Sequence, residues 1–280
     1  MSFRVAGEVT LVGDTHGPPD APPVLLLHGG GQTRHAWGST AAALARAGWY
    51  AIALDLRGHG DSGWAPDGDY RLDVFAADLR AVIAALGRPT AVVGASLGGL
   101  AALIAEDEAP VPVAAAVVLV DIAPRVQLAG VERIVSFMTS RPDGFSNLEE
   151  AADAIAAFAH HRPRPKDLAG LKKNLRLGAD GRYHWHWDPR MMTGERRINA
   201  RAESDRLERA ASGLRVPTLL VRGRMSDVVS EEDARHFLAV APHARYVDVS
   251  GAGHMVAGDR NDRFTHAVVD FLAGEPRRPA

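Results

Sequence analysis

Short, continuously apolar segments alternate with amphipathic segments along most of the chain. The apolar segments predict buried strands at 24–27, 50–56, 91–93, 114–120 and 216–221, and a further strand is predicted at 245–249. Helical spacing of apolar residues predicts helices at 36–47, 72–86, 100–106, 231–240 and 263–272. An alternating segment at 5–12 predicts an additional edge strand. This order is typical of a mostly parallel sheet with helices on both faces, so we predict an α/β fold.

The alternation of strands and helices stops between residues 124 and 213. The pattern there is mainly helical, with one turn signal at 178–181 that predicts a hairpin over 174–187. We therefore predict one core domain, 1–123 and 214–280, with residues 124–213 inserted as a lid. In the second hairpin strand, alternation places Tyr183, Trp185 and Trp187 on one face. Trp187 is the lid residue that we expect to contact substrate.

The segment around Ser96 combines a strand, a tight turn and a helix. Its residues are Gly94-Ala95-Ser96-Leu97-Gly98, directly after the apolar run 91–93. Glycines at both ends allow the strand and helix backbones to approach closely. A serine in this turn has strained backbone angles and an exposed hydroxyl at a helix N-terminus. The pattern predicts a nucleophile elbow with Ser96 as the nucleophile.

A serine nucleophile needs a base and, behind the base, a carboxylate. His254 is the predicted base, because it follows the last predicted strand in a glycine-rich loop at the same sheet edge as Ser96. Asp227 is the preferred carboxylate, because its strand directly precedes the strand that carries His254. Asp121 also ends a predicted strand at this edge and stays open as the alternative acid.

Acyl transfer also needs N–H donors for the negative charge that develops on the carbonyl oxygen. The backbone of Leu97, the residue after the nucleophile, is one predicted donor. The loop His28-Gly29-Gly30-Gly31 follows a predicted strand, and we expect Gly30, with Gly31 as the second choice, to supply the other. A phosphate-binding loop is a weaker interpretation, because no lysine follows these glycines.

Composition narrows the possible classes of protein. The 280 residues have a net charge of −2 and contain no cysteine, so disulfides and thiolate metal sites are excluded. The balanced charge does not favour nucleic acid as a partner. No apolar run is long enough to cross a bilayer, and the first residues lack the apolar core of a signal peptide. We expect a cytoplasmic protein without a membrane partner, and nothing indicates its oligomeric state.

Taken together, these motifs resemble the α/β-hydrolase superfamily over nearly the whole chain. The resemblance rests on His28-Gly29-Gly30-Gly31, on the segments 55–62 and 94–99, on Ser226-Asp227 and on Gly253-His254. It implies that Gly30 is the first oxyanion donor and that the segment after the sixth strand is a lid. Within the superfamily the chain is similar to capped esterases, carbon–carbon bond hydrolases and cofactor-free haloperoxidase-like enzymes. Epoxide hydrolases and haloalkane dehalogenases place aspartate at the elbow, where this chain has Ser96.

The expected function is hydrolysis of a small-molecule carboxylic ester or lactone through an acyl-enzyme, without cofactor or metal. One alternative is carbon–carbon hydrolysis of a β-diketone-like substrate, which needs a basic clamp such as Arg57 or an arginine of the lid. A second alternative is haloperoxidase-like perhydrolysis, although glycine at position 30 departs from the tryptophan or phenylalanine that many such enzymes have there. A third is a ligand receptor on a hydrolase scaffold without catalysis.

Overall fold

The computed structural model describes residues 1–159, 164, 167–254 and 261–274. Its main sheet has eight strands in the order β1-β2-β4-β3-β5-β6-β9-β10. Strand β2 is antiparallel to β1 and to β4, and the remaining pairs are parallel, which confirms the predicted α/β class. The strands are β1 Ser2–Arg4, β2 Thr10–His16, β3 Pro23–Leu27, β4 Tyr50–Leu54, β5 Ala91–Ala95, β6 Ala116–Val120, β7 Leu175–Leu177, β8 Tyr183–Trp185, β9 Thr218–Gly223 and β10 Arg245–Val249.

Helices lie on both faces of this sheet and in the segment between β6 and β9. They are α1 Gly38–Arg46, α2 Leu72–Leu86, α3 Leu97–Asp107, α4 Leu128–Thr139, α5 Leu148–Phe158, α6 Arg190–Thr193, α7 Ala200–Ser212, α8 Glu231–Val240 and α9 Asn261–Gly274. Leu25 and Leu27 of β3 lie in one apolar cluster with residues of α2 and α3, whereas Val24 and Leu26 lie in another with residues of α1 and α9. Both faces of each central strand are therefore buried, which explains the continuously apolar strand segments. None of the helices in the described ranges is long and apolar enough to cross a membrane.

The N-terminal edge differs from the prediction of one strand over 5–12. A short 3₁₀ turn, Ala6–Glu8, separates β1 from β2. Gly7 has a φ of 73°, a left-handed conformation that interrupts an extended strand and that glycine adopts without strain. Val5 then donates its N–H to Val9 O at 2.9 Å, which closes the turn. The alternation of apolar residues was misleading here because it continues across the turn.

The segment between β6 and β9 contains α4 to α7 and the hairpin of β7 and β8. Part of it has a small apolar cluster of its own, which includes Phe145 and Leu175. Other parts of the segment pack into the main cluster, among them Met138 of α4, Met191 of α6, and Leu207 and Ala210 of α7, which packs against α3. The predicted lid thus packs in part on the sheet domain. The predicted end of the core domain, 275–280, lies outside the described residues.

Candidate active site

Ser96 lies between β5 and α3 in a strained turn. Its φ of 44° and ψ of −110° are unusual for a residue with a side chain. The close approach on either side depends on glycine: a Cβ on Gly94 would lie 2.5 Å from the backbone of Gly98. A Cβ on Gly98 would lie 2.5 Å from Leu27 O of the neighbouring strand. This is the strand–turn–helix geometry that the sequence predicts around the serine.

A cavity of about 1930 Å³ opens above the carboxyl ends of the central strands. Four of the predicted site residues, Ser96, His254, Gly30 and Leu97, line it. Trp187 of the lid also lines it, and so does Asp227. The structure therefore brings the predicted nucleophile, base and oxyanion donors to one cavity.

The acid that contacts His254 is Asp121. His254 Nδ1 lies 2.7 Å from Asp121 Oδ2, and the Asp121 side chain is completely buried. Asp121 Oδ1 accepts the N–H of Gly223 at 2.8 Å, and Oδ2 also accepts the hydroxyl of Ser226. These donors satisfy the buried carboxylate and hold it in one orientation. With a φ of 50°, Asp121 is, like Ser96, one of the few non-glycine residues at positive φ.

Asp227, the acid preferred from the sequence, forms an ion pair with Arg133 of α4 rather than a contact with His254. Its Oδ2 accepts from Arg133 Nε of α4 at 2.8 Å and also from Nη2 of the same guanidinium. The side chains of Asp227 and Arg133 are 38% and 47% exposed, so this is a surface pair. The preference for Asp227 is therefore corrected, and the alternative, Asp121, has the geometry of a triad acid.

Two glycines explain why Asp121, and not Asp227, contacts His254. A Cβ on Gly223, at the end of β9, would lie 2.3 Å from Gly253 O. Its absence lets the loop before His254 pack on the end of β9, and the imidazole reaches the carboxylate of Asp121 at the end of β6. A Cβ on Gly130 of α4 would lie 2.1 Å from Asp227 O, so glycine also lets the lid helix pack on the Asp227 loop. Neither close approach is visible in strand order alone.

The backbone N–H groups near Ser96 differ in whether they already have a hydrogen-bond acceptor. Gly29 donates its N–H to Gln32 Oε1 at 3.0 Å, and Gly31 donates its N–H to His59 Nε2 at 3.1 Å. Within the described ranges, the N–H groups of Gly30 and Leu97 have no such partner. The space beside Gly30 is open, since a Cβ there would meet no atom within 4 Å. These two N–H groups are available to an oxyanion, whereas that of Gly31, the second choice, is already used.

Trp187 lies two residues beyond the end of β8, beside the oxyanion loop. Its ring stacks on Trp185 with centroids 4.8 Å apart, and only 5% of the residue is exposed. A Cβ on Gly31 would lie 3.3 Å from the Trp187 ring and 2.8 Å from Met138 of α4. On the opposite face of this segment, His186 Nδ1 accepts the N–H of Gly60 at 2.7 Å.

Arg57, suggested as a basic clamp, is unsuitable for that role. It is buried, and its Nε and Nη2 each donate to the carboxylate of Asp78 at 2.6 Å. Arg57 does not line the cavity. Among the residues that the structure describes, no group of three or more His, Asp or Glu side chains is arranged to hold a metal ion.

Sequence reasoning missed two supporting residues, Ser226 and His59. The Ser226 hydroxyl accepts from the N–H groups of Val228 and Val229, each at 3.1 Å, while it donates to Asp121. His59 belongs to the 55–62 motif, but its contact with Gly31 joins loops that are 28 positions apart. No local pattern indicates either contact.

Comparison with known proteins shows the family of this chain. A family model described as alpha/beta hydrolase fold matches residues 22–260. The chain is 32% identical over 262 residues to Esterase Rv0045c of Mycobacterium tuberculosis, covering 91% of this chain and 82% of that protein. It is similar in structure to E-2-(acetamidomethylene)succinate hydrolase, with a TM-score of 0.84, 23% identity and coverage of 98% and 99%. The enol-lactonase from Burkholderia xenovorans LB400 has a TM-score of 0.74, 25% identity and coverage of 98% and 100%. The chain therefore belongs to the α/β-hydrolase fold family and is a hydrolase of that fold.

Proposed function

We propose that this protein is a serine hydrolase that cleaves a carboxylic ester or lactone through an acyl-enzyme. The observation that carries the proposal is the hydrogen bond between His254 and buried Asp121, beside the cavity that Ser96 lines. A carboxylate on Nδ1 leaves Nε2 of the neutral imidazole as the basic nitrogen. Ser96, His254 and Asp121 then act as nucleophile, base and positioning acid.

The reaction follows from these roles. His254 Nε2 takes the proton of Ser96 as Oγ attacks the substrate carbonyl carbon. The N–H groups of Gly30 and Leu97 stabilise the resulting oxyanion. The tetrahedral intermediate collapses, the bond to the alkoxide oxygen breaks, and His254 returns the proton to that oxygen. His254 then deprotonates a water molecule that attacks the acyl-enzyme, which releases the acid and restores Ser96.

The character of the cavity supports a substrate of moderate size and apolar character. Trp187 and Met138 form its wall beside Gly31. Phe137 and Trp185, whose ring stacks on that of Trp187, also line the cavity. Trp187 is the proposed substrate-binding residue, because it lies beside Gly31 in the same wall. The esterase and enol-lactonase to which the chain is similar support the choice of an ester or lactone. No cofactor or metal takes part in the proposed reaction.

Mass spectrometry after incubation with a panel of esters and lactones tests the proposal. We expect an acyl adduct on Ser96 with the preferred substrates. In Ser96→Ala we expect no adduct and a loss of turnover of about 10⁴-fold or more, since only the oxyanion donors and binding then remain. A fluorophosphonate should label wild type and not this variant. Turnover near that of wild type in Ser96→Ala would overturn the proposed mechanism.

A further inference from the structure

The orientation of the oxyanion loop depends on a histidine that does not line the cavity. Gly31 donates its N–H to His59 Nε2 at 3.1 Å. This bond directs the Gly31 N–H away from the cavity and fixes the peptide plane next to Gly30. Gly31 has a φ of 75°, so the loop turns sharply at the residue that His59 holds. The position of the Gly30 N–H is thereby tied to the acceptor nitrogen of His59.

The contacts of His59 fix which of its nitrogens carries the proton. Its Nδ1 lies 3.0 Å from Arg57 O, so Nδ1–H donates to that carbonyl. Nε2 is then the bare nitrogen and accepts from Gly31. The ring is completely buried, with its centroid 4.8 Å from that of His28 and 6.5 Å from that of His186 of the lid.

Burial also keeps the His59 ring neutral. Desolvation, followed by the nearby His28, lowers the pKa of His59 from 6.5 to about 3. A protonated ring would present an N–H of its own to the Gly31 N–H and would lose the bond. At the neutral pH of an esterase assay the ring is therefore in the neutral form that can accept from Gly31.

We propose that His59 is a positioning residue for transition-state stabilisation: its Nε2 holds Gly31 so that the Gly30 N–H faces the reacting carbonyl. This inference rests on the proposed function, because it assigns a partner to one of that function's oxyanion donors. It assigns no contact between His59 and substrate. It also explains why Gly30 rather than Gly31 is the oxyanion donor, because the bond to His59 directs the N–H of Gly31 away from the cavity.

A pair of variants with similar shapes tests the role of the acceptor. Glutamine places its amide oxygen near the position of the histidine Nε2, so His59→Gln keeps an acceptor for Gly31. His59→Met has a side chain of similar length without that acceptor. Displacement of one oxyanion donor should reduce kcat by about 10- to 100-fold in His59→Met, less than its complete removal would. KM should change by no more than about 3-fold, because ground-state binding does not use this donor. His59→Gln should recover most of the lost kcat.

A transition-state analogue supplies a readout that packing alone would not change. An alkyl boronic acid forms a tetrahedral adduct with a serine nucleophile, and one boronate oxygen occupies the oxyanion site. We expect its inhibition constant to rise in His59→Met by about the same factor as kcat falls. The inhibition constant in His59→Gln should stay close to that of wild type. Circular dichroism melting of both variants separates this effect from a loss of folded protein.

Three outcomes overturn the proposal: equal losses of kcat in the Gln and Met variants, unchanged kcat in the Met variant, or a kcat loss without weaker boronate binding. If neither variant folds, ¹⁵N-histidine NMR of the wild-type protein decides instead. A His59 ring protonated on Nδ1 supports the proposal, and a ring protonated on Nε2 overturns it. Ser96→Ala in the same assay tests the proposed function separately. Turnover near that of wild type in this variant would contradict the proposed function, whatever the His59 variants show.

Discussion

Two aspartates at neighbouring strand ends have the same side chain and opposite environments. Asp121, after β6, is completely buried and accepts hydrogen bonds from Gly223, Ser226 and His254. Asp227, after β9, is 38% exposed and pairs with the lid residue Arg133. A carboxylate with several fixed donors keeps one orientation, whereas an exposed ion pair is screened by water and salt. The buried aspartate is thus suited to orient an imidazole, and the exposed one to join the lid to the core.

The same contrast extends around the cavity. Beneath the oxyanion loop, buried His28 donates Nδ1–H to Gly29 O at 2.8 Å and accepts the N–H of Leu56 at 3.0 Å. At the rim, Arg133 of α4 meets Asp227 and lies 4.6 Å from the centre of the Phe158 ring. Buried polar contacts fix the backbone of the proposed oxyanion loop. The exposed contact joins α4 to the loop that follows β9.

Replacing each aspartate by asparagine should give the largest difference in kcat between the two residues. Asp121→Asn should lower kcat by about 10⁴-fold, since the imidazole loses the carboxylate that sets its tautomer. Asp227→Asn should change kcat by less than about 5-fold, as expected for an exposed pair. Steady-state kinetics with one activated ester checks both. The reverse ranking would return the acid role to Asp227.

Acid should destabilise the folded protein through its buried histidines. Burial is the main cause that lowers the pKa values of His28, His59 and His186 from 6.5 to about 3. Between these values the unfolded chain binds protons that the folded chain does not, so stability falls as pH decreases below about 6.5. Above that pH these histidines are neutral in both states and contribute no slope.

Urea unfolding between pH 7.5 and 5 measures this slope. Each such histidine should contribute up to about 1.4 kcal/mol per pH unit, so His59→Gln should flatten the slope by about one proton. Ser230→Ala, which removes no titratable group, serves as the control and should leave the slope unchanged over this range. A slope in His59→Gln equal to that of wild type would show that this ring is charged in the folded state.

Much of the fold follows from local patterns in the sequence. The strand at 245–249 and the helices at 72–86 and 231–240 have the predicted bounds, because apolar periodicity there continues to the end of each element. The turn at Ser96 is also local, since Gly94 and Gly98 limit it on both sides. The partner of His254 is not local. It depends on whether the loop before His254 packs over the end of β9, and that depends on the missing Cβ of Gly223.

Ser226→Ala tests how far the buried acid depends on its own support. The variant removes a hydroxyl that donates to Asp121 and accepts from Val228 and Val229. Loss of a hydrogen bond to a charged group should cost about 1.5–3 kcal/mol of stability and reduce kcat by about 10-fold. Ser230→Ala, which removes the N-cap of α8, is the matched control. It should lower stability by about 1 kcal/mol with kcat unchanged. Equal kcat values in the two variants would remove Ser226 from the support of the triad.

Trp187→Ala asks whether the aromatic wall of the lid binds substrate or only holds the lid together. If the ring contacts the acyl group, KM should rise by about 10-fold for bulky esters, equivalent to about 1.4 kcal/mol of lost apolar contact. Acetate esters, which leave that wall unused, should change much less. Fluorophosphonate labelling of Ser96 should persist. Equal losses for small and bulky esters, together with a lower melting temperature, would show that Trp187 only packs the lid.

The smallest expected effect belongs to the rim, where the ion pair of Asp227 and Arg133 joins α4 to the β9–α8 loop. Loss of the pair should let α4 move from the cavity, so the apolar contacts that α4 offers a bulky substrate weaken and KM rises. An exposed pair contributes about 0.2–1 kcal/mol, which corresponds to about a 1.4- to 5-fold rise in KM.

Arg133→Met, Asp227→Asn and the double variant form a thermodynamic cycle for this coupling. If the pair acts as a unit, the double variant should be no worse than either single variant. High salt should raise KM in wild type and not in the variants, because salt screens exposed charges. A large kcat loss in Asp227→Asn without a matching loss in Arg133→Met would mean that Asp227 acts on the chemistry, and the contrast between the two aspartates would fail.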